Sequence, residues 1–461
     1  MIRALPLAAA LLLLPAAARA QAPEYPRVDF ERDSLANGLQ IIYHVDRTTP
    51  VVSVNLWYDV GSKNEQQGRT GFAHLFEHVM FKGSKNVGDG EHWSLLEAAG
   101  GRAGVDINGT TSFDRTNYFQ QLPSNQLELA LWLEADRMGT LLDVLSTEKL
   151  DNQREVVKNE KRQSYDNRPY GTWLAETLAL AFPPGHPYHH AIIGSMEDLT
   201  AANVEDVARF FRMYYAPNNA VLVVAGDLDI PQARELIRKH FDWIPRGLAR
   251  APLANTAVPA IIGEPKRKVI EDAQAPAPAV YVAYRMPNAR DEATPAVQLM
   301  MGMIADGRSS HLYQTLVVQK QVATSVQSFT FDLVEAADLM VFSAVGRPGS
   351  DPAVLEREVM DALGASAAAL TQEALDRVRA AQRFGFVNSL QTMGGFGGRA
   401  DRLAEGWTFH RDPNWVNTLL PDYDRVTVAQ VQALAAARLI PNNRVTLLFV
   451  PKPATPGEDA K

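Results

Sequence analysis

Apolar residues in this chain follow two rhythms, and the change from one to the other falls at glycine, asparagine and proline. Past Tyr25 a short extended stretch meets a turn at Asn37-Gly38. The runs Leu39-Gln40-Ile41-Ile42-Tyr43-His44 and Val51-Val52-Ser53-Val54-Asn55-Leu56-Trp57-Tyr58 are β-branched and aromatic, and predict neighbouring strands. A helix is expected over 71–84, then a short one over 93–99 stopped by Gly100-Gly101. Two β-rich stretches near 105–112 and 116–122 precede helical periodicity over 126–142 and again over 147–164.

One stretch of pattern occurs twice. Pro217-Asn218-Asn219-Ala220-Val221-Leu222-Val223-Val224 returns as Pro441-Asn442-Asn443-Arg444-Val445-Thr446-Leu447-Leu448, an offset of 441 − 217 = 224. The same offset pairs Val204 with Val428, Val207 with Val431 and Phe210 with Leu434 in the helix leading in. A helix, a Pro-Asn-Asn turn and an apolar strand recurring at half the chain length predict a duplicated domain. Residues 245–265 hold Pro245, Pro252, Pro259 and Pro265 with little periodicity, and are expected to be the linker. The expected fold is α+β: two homologous α/β sandwich domains over 21–244 and 266–453, each a mixed sheet packed with helices.

Composition narrows the compartment and the partners. Residues 1–20 join Arg3, an apolar run from Leu5 to Ala17 and a small-x-small site at Ala18-Arg19-Ala20, as in a secretory signal peptide cut before Gln21. That run is too short to span a bilayer and no later stretch is longer, so no membrane span is expected. An exported protein, and a periplasmic location, follow. Cysteine is absent, which excludes a disulfide framework. The formal charge of −8 becomes −10 without the two leader arginines, an acidic balance with no basic block, so nucleic acid is not an expected partner. The residues 454–461, rich in Pro, Gly, Asp and Lys, are expected to be disordered.

The candidate chemistry lies in the 71–84 helix. His74 and His78 stand one turn apart on one face, so two imidazoles can converge on a cation, and Glu77 projects beside them. Two neutral nitrogen ligands and a carboxylate free to accept a proton from water are the parts of a zinc hydrolase. His-x-x-Glu-His is the inverted zincin signature. With its flanks, Gly71-Phe72-Ala73-His74-Leu75-Phe76-Glu77-His78-Val79-Met80-Phe81-Lys82-Gly83-Ser84, it resembles the M16 metallopeptidases, also called the pitrilysin or insulinase family. At the 224-residue offset the helix maps near 298–308, which contains Met300, Met301, Met303 and Ile304 but no histidine, so the second copy is expected to be inactive. The resemblance implies one Zn2+ per chain and a chain forming half of a clamshell chamber.

Catalytic zinc takes three protein ligands, so a distant carboxylate is needed. The 147–164 helix offers Glu148, Asp151, Glu155 and Glu160, and spacing alone does not choose among them. The resemblance implies a third ligand about 77 residues past the second histidine, at Glu155, with Glu148 one heptad earlier supporting it. It also implies that Asn108, Gly109 and Thr110 belong to an edge strand that pairs with an extended peptide. Gly109 stands where the family usually has alanine, and is expected to leave room there. His186-Pro187-Tyr188-His189-His190 lacks one-turn spacing and reads as structural, and Gly394-Gly395-Phe396-Gly397-Gly398 as a flexible loop near the groove.

One departure from the family pattern bears on partners. Single-chain members carry an arginine and a tyrosine in the second domain within Leu-Arg-Glu-x-x-Gly-Leu-Ala-Tyr. The matching stretch is Leu316-Val317-Val318-Gln319-Lys320-Gln321-Val322-Ala323-Thr324, with Val317 and Thr324 in those places. The resemblance therefore implies a heterodimer in which an M16-like partner supplies the Arg/Tyr pair. The expected function is a zinc endopeptidase acting on peptides or unfolded segments with Glu77 as base. The alternative is a non-catalytic assembly or binding subunit of a larger complex.

Overall fold

The computed structural model describes residues 25–250 and 252–452; the leader at 1–20 and the tail at 454–461 lie outside the described residues. Strands β1 (Glu31–Ser34), β2 (Gln40–Val45), β3 (Val51–Tyr58), β4 (Ile107–Thr111), β5 (Thr116–Pro123) and β6 (Ala220–Gly226) form a first sheet in the order β1-β2-β6-β3-β5-β4. A second sheet holds β7 (Lys266–Asp272), β8 (Ala279–Met286), β9 (Ala323–Thr330), β10 (Asp338–Gly346) and β11 (Arg444–Pro451), in the order β7-β11-β8-β10-β9. Leaving out β1, the two orders are the same, with one parallel pair each, β2 with β6 and β7 with β11. The fold is thus two mixed sheets packed with helices, repeated.

The first half carries α1 (Phe72–Val79), α2 (Glu91–Ala98), α3 (Leu127–Val144), α4 (Thr147–Lys161), α5 (Trp173–Ala181), α6 (Met196–Ala201), α7 (Val204–Tyr214) and α8 (Ile230–Phe241). The second carries α9 (Thr294–Ala305), α10 (Pro352–Gly364), α11 (Gln372–Ser389), α12 (Arg399–His410), α13 (Leu419–Arg425) and α14 (Val428–Arg438). The repeated turn has a side-chain cause. Asn219 Nδ2 donates to the Tyr214 carbonyl at 2.7 Å, and Asn443 Nδ2 to the Arg438 carbonyl at 2.8 Å, both pairs 224 apart. Each asparagine satisfies a carbonyl freed at a helix C-terminus and turns the chain into the sheet. Helix α9 takes the place of α1 and buries Met300, Met303 and Ile304, with Gln298 and Gly302 at the offset positions of His74 and His78.

The halves exchange one helix each. Leu178 and Ala181 of α5 pack in one cluster with Ala283, Val341 and Val445 of the second sheet. Reciprocally, Ala400, Leu403 and Ala404 of α12 pack with Ile42, Trp57, Val221 and Val223 of the first. Shifted by 224, α5 falls on 397–405 and so overlaps α12: the two are equivalent helices, each covering the sheet of the opposite half. An ion cluster lies at this junction. Lys63, 2% exposed, has Nζ 3.1 Å from Asp114, 3.1 Å from Glu335 of the second half and 3.6 Å from Asp59. Asp401 Oδ1 accepts from Asn55 Nδ2 and Trp57 Nε1 at 3.1 Å each, fastening α12 to β3.

Candidate metal centre at the edge of the first sheet

Helix α1 is buried along Phe72, Leu75, Phe76 and Val79, with Phe76 stacked on Tyr215 at 5.1 Å. Burying one such ring is worth about 1.5–3 kcal/mol, which fixes the helix in rotation. Its N-terminus is fixed by Glu65, whose buried carboxylate accepts the Gly71 and Ala73 amides at 2.8 Å each. His74, Glu77 and His78 are left on the side facing α4 and β4.

The carboxylate that meets the histidines is Glu160. Its Oε2 lies 3.6 Å from His74 Nε2 and 3.3 Å from His78 Nε2, and the three ligand atoms sit within 4.8 Å of one another. This is the one group of three such side chains found among the described residues. Glu155, expected as the third ligand, does not approach: its side chain is 58% exposed and pairs with Lys158 at 2.9 Å. Helix geometry is the reason. Leu150, Gln153 and Val157 form the buried stripe of α4, and Glu160 extends it by three residues. Glu155 is five residues from Glu160, a rotation of about 140°. Glu148 is exposed on the far side too, and buried Gln153 occupies the place one heptad before Glu160.

The donor set fits zinc. Bonds of about 2.0–2.1 Å in a tetrahedron hold neighbouring ligand atoms about 3.3 Å apart, close to the two distances to Glu160. Burial, with His78 beside it, lowers the His74 imidazole to about 4, so the ring is neutral at pH 7. The contact with His78 holds the Glu160 carboxyl below its ordinary range. The neutral His74 lone pair and the ionised Glu160 carboxylate turned on one point are both acceptors, an arrangement that a cation relieves. Buried His74 Nδ1 has no hydrogen-bond partner, so Nε2 carries the ring's one polar contact.

Glu77 stands beside this group and is not one of its three ligand atoms. Its Oε2 accepts from Thr111 Oγ1 of β4 at 2.7 Å. Burial pushes the Glu77 carboxyl up, against the opposing pull of Thr111, His78 and Arg115.

Strand β4 ends the sheet, and its register shows which groups are free. The Gln121 amide donates to the Asp106 carbonyl and the Ser112 amide to the Arg115 carbonyl, both at 2.8 Å. By the antiparallel alternation, Asn108 and Thr110 turn their backbone groups inward to Phe119 and Asn117, while Ile107, Gly109 and Thr111 turn theirs outward. Ile107 is already bonded to Arg102 and Gly104. The outward-facing edge beside Glu77 is therefore Gly109 and Thr111, not Asn108 and Thr110, whose side chains project from the face away from α1; the Gly109 amide donates to Asn108 Oδ1 at 2.9 Å, a contact that a pairing strand would replace. The room expected at Gly109 is taken: a Cβ there would lie 3.0 Å from the Tyr118 ring and 3.2 Å from Glu77 Cγ.

The second histidine cluster binds backbone. His186 Nε2 faces the Thr256 carbonyl at 3.1 Å, His189 Nδ1 the Phe182 carbonyl at 2.8 Å, and Tyr188 donates to Asp114 at 2.6 Å within the Lys63 cluster.

Two family models match the chain, one described as Insulinase (Peptidase family M16) over 40–189 and one as Peptidase M16 inactive domain over 201–382. The zinc protease PqqE of Helicobacter pylori is 30% identical over 370 residues, covering 78% of this chain and 80% of its own. The chain belongs to the M16 peptidase family. Among solved structures, a protease from Helicobacter pylori matches with a TM-score of 0.84 at 27% identity, over 92% of this chain and 100% of that one. The periplasmic protease PqqL of Escherichia coli matches in fold with a TM-score of 0.70 at 19% identity, over 93% of this chain but 48% of PqqL. In fold, this M16 chain corresponds to about half of PqqL. Its Val317 is half-buried, and exposed Thr324 donates to the Val345 carbonyl at 3.2 Å. Gln321, at the glycine of the family pattern, adopts a left-handed φ of 54°.

Proposed function

We propose that this chain is a zinc metalloendopeptidase cleaving peptides or unfolded polypeptide segments. The observation that carries the reading is the convergence of His74, His78 and Glu160 beside Glu77, next to a free strand edge. His74, His78 and Glu160 would hold one Zn2+, which supplies Lewis acidity toward a water and the scissile carbonyl. A substrate strand pairs with the outward groups of Gly109 and Thr111, which reads backbone and tolerates varied side chains. Thr111 Oγ1 holds the Glu77 carboxylate, whose raised basicity suits it to accept the proton of the attacking water. Glu77 then returns that proton to the departing amine. The second half takes no part in holding the metal, in keeping with the inactive-domain description of the model matched over 201–382.

Because Val317 and Thr324 lack strong donors for a developing oxyanion, the proposal includes an M16-like partner subunit that contributes an Arg/Tyr pair. The likeness to half of PqqL supports a second half supplied by another chain. The leader-like N-terminus and the periplasmic description of PqqL support export to the periplasm. Among the described residues no helix is long and apolar enough to cross a membrane.

Metal analysis with Glu77→Gln tests the reading. The variant should retain one zinc per chain and lose about 10²–10⁴-fold in turnover of an unfolded peptide. Undiminished turnover would remove Glu77 from the mechanism, and a protein that performs its role without Glu77 would favour the binding-subunit reading. The partner fails if zinc-loaded chain alone cleaves at full rate and gains nothing from a co-expressed paralogue.

A further inference from the structure

The glycine-rich loop between α11 and α12 crosses from the second half onto the first sheet, and it is fastened at both ends. The Gly394 amide donates to Gln121 Oε1 at 3.1 Å, and a Cβ at Gly394 would fall 2.4 Å from Ser53 Oγ, so only glycine lies this close to β3. The Gly397 amide donates to Asp401 Oδ2 at 2.8 Å, and the Arg399 and Ala400 amides close the base on Thr392 and Met393 at 3.0 Å. Between these anchors Phe396 is 58% exposed. A backbone held this firmly presents the ring rather than letting it fold into the core, and forgoes the burial a phenylalanine ordinarily gains.

The ring's position relates it to the free edge. Phe396 stands edge-on against Phe119 of β5, with centroids 5.1 Å apart. Phe119 is paired directly with Asn108 of β4. Its side chain points away from α1, since its neighbour Tyr118 lies under Gly109 on the α1 side. A strand added beyond β4 runs two inter-strand spacings from β5, about 10 Å, and sends alternate side chains to the two faces. One set faces α1 and Glu77. The other emerges on the face that carries Phe396, where a large side chain from each partner spans that gap.

Resting on the peptidase reading above, we propose that Phe396 forms the apolar wall of a specificity subsite on the sheet face opposite the metal helix. It would receive a large apolar side chain, of phenylalanine or leucine size, from the peptide strand lying along Gly109 and Thr111. Phe396 touches neither the metal ligands nor Glu77, so it governs which peptides dock and in which register, not the bond-breaking step.

The test is a set of quenched-fluorescence decapeptides of Ala, Ser and Lys with one phenylalanine walked through the sequence, offered to the zinc-loaded full chain together with its co-expressed paralogue. The expected result is a preference of about tenfold in kcat/KM for phenylalanine at one position. Phe396→Ala should abolish it while leaving the peptide without phenylalanine within twofold of its original rate, and Phe396→Leu should keep most of it. Binding of the same peptides to the Glu77→Gln chain, followed by fluorescence anisotropy, should show the same preference and the same loss on adding Phe396→Ala. Cleavage without positional preference, or a preference that survives Phe396→Ala, overturns the subsite while the peptidase reading stands. Absence of both cleavage and peptide binding overturns that reading and the subsite with it.

Discussion

Exchange of Glu160 for glutamine keeps the shape of the side chain and removes its charge. Its Oε2 stands 3.3 and 3.6 Å from the two imidazole nitrogens, so one of three protein ligands is weakened with little change in packing. Zinc sites with four protein ligands bind with about 10–16 kcal/mol at pH 7, or roughly 2.5–4 kcal/mol per ligand. Loss of one charged ligand therefore predicts a 10²–10³-fold weaker zinc Kd, at about 1.4 kcal/mol per decade. Glu155→Gln is the matched control, because Glu155 points to solvent and Lys158, and zinc affinity should stay within twofold. Competition against a fluorescent zinc chelator measures both. Thermal unfolding gives a readout independent of turnover: zinc at 100 times the wild-type Kd stabilises by about 2.7 kcal/mol. The Glu160→Gln protein should show almost none of that gain at the same zinc concentration. If Glu155→Gln weakened zinc while Glu160→Gln did not, the assignment of the third ligand from the geometry would be refuted.

Two further outcomes follow from contacts already described. Gly109→Ala places a methyl 3.2 Å from Glu77 Cγ and 3.0 Å from Tyr118, so both give by a few tenths of an ångström; as the residue usual in the family it should change kcat by less than about tenfold with zinc affinity unchanged, as steady-state kinetics and chelator competition would show. Lys63→Met leaves buried Asp114 without its cation, while Asp59 keeps Arg250 and Arg411 and the part-exposed Glu335 keeps Arg290, and should cost about 3–5 kcal/mol in urea unfolding. An unchanged urea midpoint would show that the cluster is not what joins the halves.

How much of this could be read in the chain depends on how far apart the interacting residues lie. The Pro-Asn-Asn turn was legible because Asn219 and Asn443 act on a carbonyl five residues away, and such local chemistry leaves a repeating string. The pair His74 and His78 was legible because one helical turn brings them together whatever surrounds the helix. Glu160 was among four acids on the right helix, but counting residues from His78 selected Glu155. The signal that separates them is the buried stripe of Leu150, Gln153 and Val157, which continues to Glu160 and turns Glu155 outward. Choosing Gly109 and Thr111 over Asn108 and Thr110 required knowing the phase of the ladder, since a shift of one residue exchanges inward and outward groups. The crossing of α5 and α12 left no such trace. An apolar helix face declares that it is buried, not which sheet buries it.

That crossing has a consequence for the order in which the protein can be made. The last strand of the first sheet ends at Gly226, and the helix that covers its outer face begins at Arg399, 399 − 226 = 173 residues later. At roughly 5–20 residues per second of synthesis, that interval is about 10–35 s. For that time Ile42, Trp57, Val221 and Val223 have no helix to lie beneath. The half bearing the candidate metal ligands therefore has the outer face of its sheet covered only when the half without the His-x-x-Glu-His motif arrives, and a chain interrupted between them would carry an apolar face open to aggregation.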